Sequence, residues 1–139
     1  MELNDMIMVS VDDHVCEPPD MWEKHLPAKW KDKAPRLVNT NGADIWFYDG
    51  KVMPNVGVNA VAGRVPEEYG MEPTSYDQMR PGCWNIHERI RDMNVNGVLA
   101  QLCFPSFPSF SGGRFAALDD KKLALVLLQA YNDWHIDEW

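Results

Sequence analysis

The chain has 139 residues, 45% of them hydrophobic, enough for one ordinary domain with a real core. Thirteen basic against 21 acidic side chains leave a formal charge of −8, with no clustered Lys and Arg of the kind a phosphate backbone needs. No nucleic-acid partner is expected.

Cys16, Cys83 and Cys103 are far apart and form no CxxC pair, a usage that suits a reducing compartment. The acidic start, Met1-Glu2-Leu3-Asn4-Asp5, lacks the basic flank of a signal peptide. No apolar run approaches the ~18 residues of a membrane span. A cytoplasmic protein without a membrane partner is the expectation.

In chain order, Ile7-Met8-Val9-Ser10-Val11 is apolar and β-branched and runs into Asp12-Asp13-His14. It predicts a buried strand over about 7–12 that opens into a loop before Pro18-Pro19. Pro18-Pro19-Asp20 then starts a short helical turn through Met21, Trp22 and His25, stopped by Pro27. An insertion follows over about 28–82 without a long amphipathic period. Within it, Ile45–Tyr48, Asp49-Gly50 and Lys51–Met53 read as a β-hairpin, because Asp-Gly suits a tight primed turn. Pro54 to Gly82 is rich in Gly, Pro, Asn and Ser and reads as a long surface excursion.

Asn85 with Glu88 three residues on resembles a capping box, so a helix is expected over about 86–95, with Ile86, Ile90 and Met93 on one face. The run 97–104 is almost continuously apolar and predicts a second strand covered on both faces, as parallel strands are. A Phe-Pro-Ser repeat, Phe104 to Phe110, leads to a last helix over about 120–138, with Asp119-Asp120 at its start. Strand, helix, strand defines a βαβ unit and hence an α/β class in a single domain.

Asp12 and His14 are the candidate metal ligands. On a strand, spacing i, i+2 puts both side chains on one face, about 6.5–7 Å apart along the backbone. A carboxylate oxygen and an imidazole nitrogen at that spacing can converge on one cation. The same spacing also suits a plain capping or hydrogen-bonding pair. The surroundings decide more. Val9 to Trp22, Met79-Arg80-Pro81-Gly82-Cys83-Trp84, Arg89-Ile90-Arg91-Asp92-Met93, Phe104-Pro105-Ser106 and Ala130-Tyr131-Asn132-Asp133-Trp134 together resemble the metal-dependent amidohydrolase-related proteins. Their branch includes aminocarboxymuconate-semialdehyde decarboxylase and the resorcylate decarboxylases, and it opens with His-x-His, Glu-x-His or Asp-x-His after the first strand of a (β/α)8 barrel.

That resemblance covers nearly the whole chain and corresponds to the N-terminal third of a family member. It implies the first part of a (β/α)8 TIM barrel with a hairpin-containing insertion after strand 1. A whole barrel needs roughly 200 residues or more. It implies a divalent metal, zinc first and manganese second, and hydrolysis of C–N bonds or non-oxidative decarboxylation of a small organic acid or amide. The family's later His and Asp ligands match no position here; His25, His87 and His135 are not counterparts. The expected partner is therefore a complementary chain carrying the rest of the barrel, or a second copy. The alternative is a non-catalytic interaction or structural module that keeps the old fold.

Around the pair, Glu17 can support a ligand from behind or fix the loop. Phe104, Pro105 and Phe107 can wall a pocket for an apolar substrate or simply pack. Arg64, Arg80 and Arg114 are the cations best suited to a substrate carboxylate. Cys16 reads as a buried thiol, and Trp46 and Trp84 as core or interface aromatics.

Overall fold

The first apolar run forms strand β1, Met8–Val15, in a computed structural model that describes every residue except 1, 3, 4, 55, 71 and 72. Three of those six, 55, 71 and 72, belong to the expected insertion and lie outside the described residues. β1 pairs in parallel with a strand over Val98–Pro105. Between them come helix α1 (Met21–His25), strands β2 (Arg36–Thr40), β3 (Ala43–Tyr48) and β4 (Lys51–Met53), and helix α2 (Ile86–Asn96). The Val98–Pro105 strand is β5, and helices α3 (Gly113–Ala116) and α4 (Lys121–Asp137) follow it. The fold is mixed α/β with one parallel pair, β1–β5, and one antiparallel sheet in the order β2–β3–β4.

β2 adds a strand to the expected hairpin. Both turns of that sheet have positive φ at both central residues, 54° and 82° at Asn41-Gly42 and 51° and 70° at Asp49-Gly50. That is the primed geometry that matches the twist of paired strands. Among the described residues, the helical or strand elements of the excursion beyond β4 are short 3-10 turns at Pro66–Glu68, Tyr76–Gln78 and Pro81–Cys83. α2 is capped by Asn85, whose side chain accepts from His87 N and Glu88 N, and it closes at Gly97 with φ +67°. The reciprocal half of a capping box is missing: the Asn85 N–H donates to the Pro81 carbonyl at 2.9 Å, and Glu88 pairs with Arg91 at 2.5 Å.

The core lies at the C-terminal end of the parallel pair, which enters it through Val15 of β1 and Cys103 of β5. Trp22 of α1, Trp46 and Tyr48 of β3, Phe115 of α3 and Phe107 from the loop between β5 and α3 pack edge to face, with ring centroids 5.3–6.5 Å apart. Leu127 and Trp134 of α4 close this layer. Two expectations are corrected here. Neither β1 nor β5 is a buried strand within this chain: Val11 is 66% and Leu99 68% exposed. Their only strand neighbours are each other, so nothing among the described residues covers that apolar surface. Helix α2, which carries Ile86, Ile90 and Met93, has no buried residue. No helix among the described residues is long and apolar enough to cross a membrane.

Candidate metal centre and its cavity

The C-terminal end of β1 is irregular. Ser10 lies opposite Gln101 and Asp13 opposite Cys103, so three steps on β1 span two on β5. The extra residue is a β-bulge at Val11–Asp12, and bulges bend a strand and re-aim its side chains. Beyond it, His14 sits opposite Phe104, their rings 6.1 Å apart.

Asp12 and His14 both line one open cavity of about 680 Å³ at this strand end. Both side chains are exposed, and Asp12 makes no ion pair among the described residues. Asn59, from the excursion, brings its amide nitrogen within 3.5 Å of His14 Nδ1 and 3.4 Å of Ser106 Oγ. Phe104 and Pro105 form part of the wall, with Phe110 and Leu128. Tyr131 of α4 reaches the wall as well; its hydroxyl is buried without a protein partner, and burial pushes its pKa up.

Phe107 does not join them. It is 3% exposed, at the centre of the aromatic core, so its expected place in a pocket wall is corrected. Its neighbour Phe110 lines the cavity instead. Glu17 explains the difference. Its carboxylate, 1% exposed, accepts from the backbone N–H of Ser106 at 3.0 Å and of Phe107 at 2.9 Å. Arg114 holds the same two residues from the other side, donating to the carbonyls of Ser106, at 3.3 Å, and of Phe107. Glu17 thus fixes the cavity loop. Burial raises its pKa to about 7, against the lowering pull of those N–H groups and of Arg114.

The other candidates are occupied elsewhere. Arg80 makes a two-point bond to Asp92, 2.7 and 2.6 Å, and its hydrogen bonds hold that carboxyl below its usual range. Arg64 reaches the carbonyl of Gln78 at 3.4 Å. None of Arg64, Arg80 and Arg114 lines the cavity. Cys16 is buried, donates to the carbonyl of Val56 at 3.4 Å, and has its pKa pushed by burial to about 12, which makes it an inert thiol. Ser106 and Tyr131 stood in segments of the family resemblance without a role assigned, and Asn59 carried no signal at all, because it meets His14 only through the fold.

As a donor set, Asp12 and His14 suit a borderline cation such as zinc: one hard oxygen and one imidazole nitrogen, both accessible. No group of three or more His, Cys, Asp or Glu side chains that could hold a metal occurs among the described residues. The pair fits as part of a site that needs further ligands.

In fold, the chain resembles part of a solved amidohydrolase. That structure, the amidohydrolase from Mycobacterium avium subsp. paratuberculosis K-10, matches 97% of this chain with a TM-score of 0.63 and 18% identity. The chain spans only 39% of that protein's length, and at this identity the likeness is one of fold. No protein-family model and no curated protein matches the chain.

Proposed function

We propose that this chain supplies Asp12 and His14 to a divalent-metal centre at the mouth of an amidohydrolase-like (β/α)8 barrel. Zinc is the first choice of metal and manganese the second. The observation that carries the reading is the shared cavity: two exposed donors at the C-terminal end of a parallel strand face one apolar-walled space. That end of the strands is where barrel enzymes gather their chemistry. The fold likeness to an amidohydrolase supports it.

Asp12 and His14 would contribute to holding the cation, which would supply Lewis-acid chemistry toward a substrate oxygen or water. The chain's own residues hold and frame it. Phe104, Pro105 and Phe110 offer an apolar wall, and Ser106 and Asn59 offer neutral hydrogen-bonding groups beside His14. Such a wall accepts a small aromatic or unsaturated acid or amide. Hydrolysis of a C–N bond and non-oxidative decarboxylation can both use such a site, and release of an amine or of CO2 separates them.

The remaining ligands belong to further βα units outside these 139 residues, on a complementary chain or on more of the same polypeptide. The bare apolar surface around Val11 and Leu99 is where they pack. That surface also favours the second reading, a module that binds another protein without catalysis. The assembled enzyme separates the two. Amine release from candidate amides, abolished by His14→Ala, is the expected result. Turnover that survives His14→Ala, or an assembly without turnover or bound metal, overturns the catalytic reading.

A further inference from the structure

Behind the Asp12–His14 pair, on the α2 side of β1, lies a cluster of polar side chains that no metal ligand explains. Arg89 sits one turn into α2, where its N–H bonds the carbonyl of Asn85 at 2.9 Å. Its side chain is only 14% exposed. The guanidinium donates through Nη2 to the main-chain carbonyl of His14 at 2.6 Å, and its Nη1 lies 4.0 Å from Asp13 Oδ1. Gln101 of β5 adds a 3.4 Å bond to the same Asp13 oxygen. Arg89 Nε, Asp13 Oδ2 and Gln101 Oε1 are buried without protein partners.

The guanidinium also lies over the Trp139 ring, 5.4 Å from its centroid, while the unpartnered buried polar atoms of the cluster lower stability. The cluster does achieve one thing that apolar side chains cannot. It fixes the His14 carbonyl, and so the backbone from which the imidazole projects, from a separate helix. It also fixes Asp13, the residue between the two donors. The Asp13 carboxylate offsets the guanidinium charge, so a cation at His14 meets less repulsion.

We infer that Arg89 is the positioning residue of the Asp12–His14 pair, holding both donors in the geometry that binds the cation. This rests on the metal reading above. It assigns Arg89 no contact with metal or substrate.

The test uses the full chain, titrated with Zn²⁺ while the ring nitrogens of His14 are followed by NMR, at a temperature where each variant is shown to be folded. Arg89→Ala is expected to raise the zinc concentration at the His14 midpoint by about tenfold, in line with other supporting residues around metals. Arg89→Lys, which keeps a cation and one donor, is expected to recover part of that loss. If the alanine variant does not fold, the lysine variant decides alone, with a raised midpoint expected. A purely structural role lowers the melting temperature and leaves the midpoint of folded protein unchanged; that result overturns the proposal. A native chain in which zinc never moves His14 instead overturns the metal reading itself. The two failures are therefore distinct.

Discussion

The buried carboxylate of Glu17 accepts the backbone N–H of Phe107 at 2.9 Å, and that bond places the Phe107 ring in the core while Phe110 is left at the cavity. Glu17→Ala leaves the buried N–H of Phe107 and the part-buried N–H of Ser106 without an acceptor, at about 1–3 kcal/mol for the first. A drop in melting temperature with loss of the loop's amide protection is expected on hydrogen exchange. Unchanged protection at Ser106 and Phe107 would contradict it.

Glu17 also gives stability a pH dependence. Its folded pKa of about 7 lies above its ordinary value near 4.5. Between those values the unfolded chain has already lost a proton that the folded chain keeps. Stabilisation from this group is therefore full below about pH 4.5 and is lost as pH rises through 7, on the order of 3 kcal/mol. The melting temperature of the native chain minus that of Glu17→Gln should fall between pH 5 and pH 8. A difference independent of pH would show that Glu17 is ionised across the range.

Phe107 and Phe110 separate packing from site. Phe107→Ala removes the hub of the aromatic core and should cost about 3–5 kcal/mol in denaturant unfolding. Phe110, 84% exposed, should change stability by less than about 0.5 kcal/mol when cut to alanine, while weakening ligands of the assembled site. Equal losses from the two substitutions would place both rings in the core.

Asn85→Ala removes the side chain that caps α2 and should cost about 1 kcal/mol. Because Arg89 begins the second turn of that helix, fraying should also loosen its bond to the His14 carbonyl. Faster exchange of the first α2 amides is the expected signature. A stable first turn in the variant would mean that the helix is held by packing alone.

Much of this was legible where the signal is local. The strand that carries Asp12-Asp13-His14, though it runs to Val15 rather than stopping near residue 12, the Asn85 cap, the helix stop at Gly97 and the Asp49-Gly50 turn are each set by a few neighbouring residues. β2 carried the same kind of signal in Asn41-Gly42, where the turn has the same primed form. The Phe104 to Phe110 loop was not legible. It has no period to say which ring turns inward, and the deciding partner, Glu17, is 90 residues from Phe107. Arg89 was invisible as a support for the same reason, lying 75 residues from His14. The exposed faces of β1 and β5 escaped because an apolar run announces that a strand is to be covered, without saying that the cover comes from within the chain.

The most direct test of the metal reading follows all four imidazoles of the chain, His14, His25, His87 and His135, by long-range ¹H–¹⁵N NMR during a zinc titration. The account predicts that His14 shifts first and that Asp12→Asn raises its midpoint while the other three rings keep theirs. A folded chain whose His14 ring stays unmoved, or moves identically with Asp12→Asn, would contradict it.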